Sequence, residues 1–377
     1  MALNKMACMT ATYLHEESKV VPQGLAFFDP YAREKFLPDF NSINDPRKRA
    51  IAYAEFMDDF VIGCGDGSLK SRTVSSGVDY VIVERETGMR VKQHRLGEGH
   101  RASWRPTLVS DRMSIHTLHD WTEILSYPVM RREDLTGLAL PDPDDPGRYL
   151  GVEENVRYFT ERGYMASGSI TGFFSGVWYN LCPFNLWLAS LIRDHPFAKR
   201  LVDKLGVFNC RAAQNLLEKG VQCITWSDDL GYKRGTFIAP RVYEEIIYPW
   251  HRRVAQLAHK YGAFVEMHVD GNINAIMDLL VQGGIDAINN VGPGDNMDLA
   301  TLKAKYGDHI TLSGGMSRYT AQMTWEALRA HIIDRISIGS PGGGYILGQE
   351  GGITPDMSLE NFSYLLACSR KHRRNRP

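Results

Sequence analysis

The sequence of 377 residues has no cysteine pair of the CxxC kind, and its six cysteines (Cys8, Cys64, Cys182, Cys210, Cys223, Cys368) are scattered. That dispersion excludes a cysteine-rich zinc module and a disulfide framework, and it predicts reduced thiols in a cytoplasmic protein. No run approaches the ~20 apolar residues that cross a bilayer. The opening Met1-Ala2-Leu3-Asn4-Lys5 starts no apolar stretch of signal-peptide type. An excess of charge is absent as well: 43 basic and 44 acidic residues leave a net charge of −1. Neither nucleic acid nor a membrane surface is therefore an expected partner. The tail Arg370-Lys371-His372-Arg373-Arg374-Asn375-Arg376 is basic, but a terminal run of charge is ordinarily solvated. No GxGxxG opens a helix, and Gly342-Gly343-Gly344 precedes its strand instead of following it. A dinucleotide loop is thus not expected. Assembly into an oligomer is left open.

What is present is alternation. From about residue 160, short apolar runs alternate with amphipathic stretches. The runs predict strands at Tyr164–Ser169, Gln222–Ser227, Phe264–Val269, Asp286–Val291, His309–Ser313 and Gly344–Leu347. Between them lie helical patterns at about 184–218, 240–261, 273–282, 297–306, 323–336 and 358–371. Strand alternating with helix at this length predicts parallel βαβ units. Polar and glycine residues gather after the runs: Asp228-Asp229, Asp270, Asn289-Asn290, Gly314-Gly315 and Gln349-Glu350. Such residues at successive strand ends are expected of a (β/α)8 TIM barrel with its active site on that face.

The first 150 residues read as an N-terminal helical extension, an early barrel strand near Phe60–Gly63 and an inserted β-hairpin. The hairpin pairs Val78–Arg85 with Met89–Gln93 around Glu86-Thr87-Gly88. The expectation is one α/β domain over 1–377, with the main βα repeats in 151–377.

The densest chemistry lies in Glu266-Met267-His268-Val269-Asp270-Gly271-Asn272. In a strand, Glu266, His268 and Asp270 would project to one face, with Val265, Met267 and Val269 on the other. Two carboxylates and an imidazole on one face are costly to bury without a purpose. They are candidates for holding a metal or moving protons. The plain alternative is a set of polar groups that satisfy only one another, as in a barrel that binds a ligand without catalysis. Asp229 is a further candidate contact, while Asp228 also suits a helix N-terminus. Asn272 could bond a ligand or simply make a turn. Gly314 and Gly315 could let backbone approach a bound cofactor, or only permit tight turns. His251 reads as structural. Phe173-Phe174-Ser175-Gly176-Val177-Trp178-Tyr179 suits either an apolar pocket wall or core packing.

Several stretches together resemble the uroporphyrinogen decarboxylase superfamily. They are Trp226-Ser227-Asp228-Asp229-Leu230-Gly231, Tyr248-Pro249-Trp250-His251, His268-Val269-Asp270-Gly271-Asn272, Leu312-Ser313-Gly314-Gly315 and Gly342-Gly343-Gly344-Tyr345-Ile346-Leu347. The resemblance implies a single (β/α)8 barrel and one of two chemistries. One is cofactor-free decarboxylation, which goes with an arginine-rich N-terminal motif and a late histidine. The other is methyl transfer that depends on cobalamin or a corrinoid protein, often with zinc, and goes with His-x-Cys and a second late Cys. This chain has no Arg-Gln-Ala-Gly-Arg motif, carries Asp270 where the first Cys would stand, and has neither His nor Cys after its last strand.

The resemblance therefore implies a methyltransferase of O-demethylase type, moving a methyl group from a methoxylated or otherwise methylated small molecule, such as a methoxylated aromatic, to a corrinoid. Exchanging Cys for Asp makes a metal site harder, which suits an oxygen substrate over a thiol. His268 and Asp270, with Glu266, Glu350 or Asp229 as a further ligand, would hold zinc or another divalent ion. Without metal, the same groups would act as acid and base. No Asp-x-His-x-x-Gly motif occurs, so the corrinoid is expected on a separate protein. The runner-up is decarboxylation of a small carboxylic acid, for which Arg33, Arg72 and Arg105 are the candidate cations.

Overall fold

The computed structural model describes residues 3–27, 30–78, 80–94 and 122–374. Eight short parallel strands form one curled sheet: β1 (Gln23–Gly24), β2 (Val61–Asp66), β3 (Met165–Ser169), β4 (Cys223–Ser227), β5 (Phe264–His268), β6 (Ala287–Val291), β7 (Thr311–Met316) and β8 (Tyr345–Gln349). Their order is β1-β8-β7-β6-β5-β4-β3-β2, with helices between successive strands. This is the (β/α)8 barrel architecture. The six strands expected between 164 and 347 all form, displaced by a few residues at their ends.

The helical patterns break where local chemistry requires it. The pattern at 184–218 divides into Phe184–Arg193 and His195–Glu218. Asp194 stops the first helix and caps the second, its carboxylate accepting from Phe197 N at 3.1 Å. The pattern at 240–261 holds a π-helical turn at Tyr243–Ile247, just ahead of Pro249. Proline lacks the N–H that an α-helical ladder needs there.

Outside the barrel the hairpin expectation needs enlarging. Tyr80–Arg85 and Arg90–His94 do pair, but as the centre of a four-stranded antiparallel sheet completed by Ser71–Ser76 and Thr122–Ser126. Ser71–Ser76 is largely polar and exposed, so no apolar alternation marked it. The sheet is tied to the barrel by Arg148, whose guanidinium meets Glu86 at 2.7 Å. The basic tail also departs from expectation. The last helix, Leu359–Arg374, carries Arg373 to full burial, where it donates to Asp58 at 2.6 Å and to the Val21 carbonyl at 2.6 Å.

Alternation along the barrel strands sets what faces inward. On β5, Val265, Met267 and Val269 are at most 1% exposed and pack outward under the helices. Phe264, Glu266 and His268 face the lumen and are only half buried. Low in the barrel the lumen is apolar, where Cys8, Met9 and Tyr13 of helix Lys5–Tyr13 meet Met165, Cys223, Ala287 and Ile346. Higher up, a barrel of this kind is ordinarily filled by bulky branched side chains. Here the corresponding positions carry Thr225, Ser227, Glu266, His268, Asn289 and Ser313. The upper lumen is polar.

Candidate active site

The loops after β4 and β5 are in backbone contact. Gly271 has φ +89°, and a Cβ there would lie 2.1 Å from the carbonyl carbon of Gly231. Only paired glycines permit that approach. It brings Asp229 and Asp270 side by side, with Asp270 N donating to Asp229 Oδ1 at 3.3 Å. His268, the last residue of β5, completes a trio: one ligand-type atom from each of Asp229, His268 and Asp270 lies within 4.8 Å of the others. The Nε2 of His268 stands 3.9 Å from Asp270 Oδ2.

A lateral chain fixes the imidazole. Asn289 Nδ2 donates to Ser313 Oγ at 3.0 Å, which leaves Asn289 Oδ1 to accept from His268 Nδ1 at 2.8 Å. This assignment rests on the hydrogen-bond network. Nε2 is then the nitrogen directed at the two carboxylates.

Charge within the trio is strongly coupled. Burial pulls the His268 pKa down, but Asp270, Asp229 and the Asn289 bond outweigh it and raise it to about 9. Burial, then the neighbouring Asp270 charge, pushes Asp229 up to about 6. Burial also opposes ionisation of Asp270, yet His268 and Arg318 hold its pKa below the ordinary value. The site is walled by protein but open at the top, with the His268 and Asp270 side chains 42% and 56% exposed. Solvent screening therefore moderates these shifts without reversing them.

Asp228 points the other way and is fully buried. It accepts from the backbone N–H groups of Phe173, Phe174 and Ser175 at 2.9, 2.7 and 2.8 Å, and from His251 Nε2 at 2.8 Å. Tyr243 holds the other nitrogen of His251 at 2.9 Å. This network anchors the end of β4 and so fixes the neighbouring Asp229. His251 is structural.

A profile of the uroporphyrinogen decarboxylase family matches residues 119–372. The chain belongs to the uroporphyrinogen decarboxylase family. Among solved structures it is similar to a methyltransferase from Methanosarcina mazei, with 15% identity, a TM-score of 0.66, and 98% of this chain and 99% of that one covered. It also matches a B12-independent methionine synthase from a Shewanella species, in complex with selenomethionine, at 10% identity and a TM-score of 0.45 over 94% and 95% of the two chains. The family takes its name from an enzyme.

On this family barrel the remaining sequence candidates disperse. Glu266 faces the lumen below His268 and accepts from the Tyr13 hydroxyl at 2.7 Å, outside the trio. Burial raises its pKa, against the effects of Tyr13 and His268. Glu350, expected as a metal ligand, is only 1% exposed and engaged elsewhere. Arg318 Nε donates to it at 3.0 Å and Gly294 N at 3.0 Å. Asp295 joins that cluster and accepts from Gly271 N at 3.3 Å. Burial and the adjacent Glu350 push Asp295 up to about 6. Asn272 bonds its own turn, accepting from Asn274 N at 3.1 Å. Gly314 lies against β6, where a Cβ would meet Val291 N at 2.7 Å, and Gly315 faces Leu299 and Tyr345.

Phe173 and Phe174 are fully buried core residues. Trp178 of the same segment meets Phe184 at 5.3 Å, and Phe184 and Tyr232 each meet Phe237 at 5.6 Å. Tyr232 and Phe237 stand on or beside the loop that carries Gly231. Of the candidate arginines, Arg72 pairs with Glu84 at 2.7 Å on the outer sheet, and Arg105 lies outside the described residues. Arg33 lines a separate cavity of about 470 Å³ beside β2, with Tyr53, Asp59 and Gly63. That cavity shares no residue with the trio. Sequence reasoning passed over Tyr13, Arg318 and Asp295. Only Asn289, a polar residue inside an apolar run, carried a signal.

Proposed function

We propose that the chain is a methyltransferase that moves a methyl group from the oxygen of a methoxylated small molecule to a corrinoid carried by a separate protein. The observation that supports this best is the trio Asp229, His268 and Asp270 at the mouth of a polar lumen. An ether oxygen leaves a methyl group readily only if it is protonated or bound to a Lewis acid. The trio offers groups suited to either.

One nitrogen and two carboxylate donors suit a divalent ion of borderline or hard character, zinc included. Bonds of about 2.0–2.2 Å would need the three donors to close inward by roughly 1 Å, which exposed carboxylate rotamers allow. A bound ion would supply polarisation of the substrate oxygen. In the absence of an ion, His268 Nε2–H is positioned to donate to that oxygen as the methyl group departs. Asp270 stabilises the imidazolium before that transfer, which leaves neutral imidazole, and the Asn289 bond holds the ring in place.

Decarboxylation would require a free cation for the substrate carboxylate. Besides His268 itself, the cation acting on the trio among the described residues is Arg318, which Glu350 and Asp295 already hold, while Arg33 lines the separate cavity. Methyl transfer is therefore the better supported chemistry.

The test is incubation of purified protein with methoxyarenes and reduced corrinoid, following formation of methylcorrinoid by its absorbance. Elemental analysis of the same sample reports the ion. His268→Ala should abolish turnover. Carbon dioxide release from a carboxylic acid without corrinoid would overturn the proposal. Stoichiometric absence of any divalent ion from active protein would leave the acid route alone.

A further inference from the structure

Below the trio the lumen holds a second acceptor. Glu266 lies two residues before His268 on the same face of β5. Tyr13 occupies one of its oxygens, and Oε1 has no hydrogen-bond partner among the described residues. The residue is not fully sealed in, being partly buried. Thr225 on β4 lies beside it in register, and Asn289 and Ser313 follow on β6 and β7. Phe264 and Tyr13, with ring centroids 4.8 Å apart, lie beneath. On the far side of the barrel Gly24 and Gly63 carry no side chain, and a Cβ on Gly63 would meet nothing within 4 Å. Gly63 also borders the cavity lined by Arg33, Tyr53 and Asp59, and polar groups line the lumen around Glu266.

We propose that Glu266 is a specificity-determining residue whose Oε1 accepts a hydrogen bond from a hydroxyl or ammonium group at the far end of the substrate. The substrate class is then neutral or cationic and carries a donor remote from its reacting oxygen. The placement of that oxygen rests on the methyl-transfer reading; the subsite itself does not. Two residues of strand separate Glu266 from His268 by roughly 6.6 Å, a spacing that suits a para-substituted ring better than an ortho-substituted one. Carboxylate substrates are disfavoured, since Glu266, Asp229 and Asp270 would all repel them.

Calorimetric titration of the purified protein, which needs no corrinoid, tests this with four probes: para-methoxyphenol, para-methoxybenzylamine, para-dimethoxybenzene and para-methoxybenzoate. At least one donor probe should bind roughly tenfold to hundredfold tighter than para-dimethoxybenzene, the size of a hydrogen bond to a charged group. That preference should vanish in Glu266→Leu. Glu266→Gln keeps an acceptor and loses the charge, so it should retain preference for the phenol and lose it for the amine. Should Glu266→Leu fail to fold, Tyr13→Phe keeps the carboxyl and should keep the preference. Equal affinity for donor probes and para-dimethoxybenzene, or no saturable binding of either donor probe, would overturn the subsite. So would a preference that survives in folded Glu266→Leu or disappears in Tyr13→Phe. Donor preference without any methyl transfer would instead overturn the reaction proposed above and leave the subsite standing.

Discussion

Gly231 and Gly271 touch through their backbones, and that contact sets two carboxylates from different loops against one imidazole. The catalytic geometry proposed here depends on the absence of two methyl groups.

Gly271→Ala should therefore be damaging on two counts. Its φ of +89° is unfavourable for alanine, and the added Cβ would collide with Gly231. A loss of about 2 kcal/mol or more in unfolding free energy is expected, measurable by urea denaturation. Turnover per folded molecule should fall as well, because Asp229 and Asp270 would separate. A variant of wild-type stability and activity would show that the loops tolerate separation.

Asp228→Ala should unfold more easily without changing the pH profile of whatever activity remains. It would leave Nε2 of the buried His251 and three backbone N–H groups unpaired. Breaking a buried pair of this kind costs about 3–5 kcal/mol. Chemical denaturation gives the stability change, and a pH–rate profile separates this anchoring role from a catalytic one.

In protein freed of divalent ions, the contribution of the site's groups to stability should fall as pH rises in two stages. Asp229 and Asp295 ionise near pH 6 in the folded chain, against an ordinary 3.8. The folded state then binds more protons than the unfolded one between about pH 4 and 6, which reverses the usual carboxylate sign. His268, raised to about 9 from 6.5, contributes stability that is complete below pH 6.5 and lost as pH rises through about 9. Asp270 acts oppositely, its contribution being lost in acid below its ordinary 3.8. Histidine resonances followed by NMR should show the His268 titration move to lower pH in Asp270→Asn, since burial would then dominate. No change in that variant would break the link between Asp270 and His268.

Arg373→Ala should destabilise the barrel from its N-terminal end. Asp58 would lose its buried partner, at a cost of about 3–5 kcal/mol. Arg370 and Arg374 also lie within 4 Å of Asp58 but are 41% and 47% exposed. Replacing either should change the denaturation midpoint far less.

The sequence revealed the barrel where strands were long enough to stand out as runs between helical patterns, which is why β2 to β8 are expected from it. Strand β1 spans two residues, too few for any periodicity. The outer strands Ser71–Ser76 and Thr122–Ser126 are held by pairing across the chain, and their composition does not announce it. At the site, period-two geometry correctly placed Glu266 and His268 on one face. Asp270 lies just beyond the strand, so its position comes from the Gly231–Gly271 contact. The pairing of Glu350 with Arg318 joins the loops after β7 and β8. No local pattern encodes that meeting, nor the reach of Tyr13 from the first helix to Glu266.

That first helix has a kinetic consequence. By packing Cys8, Met9 and Tyr13 into the lower barrel, it closes that end of the lumen among the described residues. A small molecule that enters from the upper end passes Asp229, His268 and Asp270. Any protein-sized methyl acceptor that covers the upper end would trap what is already inside and shut out what is not. Turnover would then follow a compulsory order: small molecule first, acceptor second, and release in reverse.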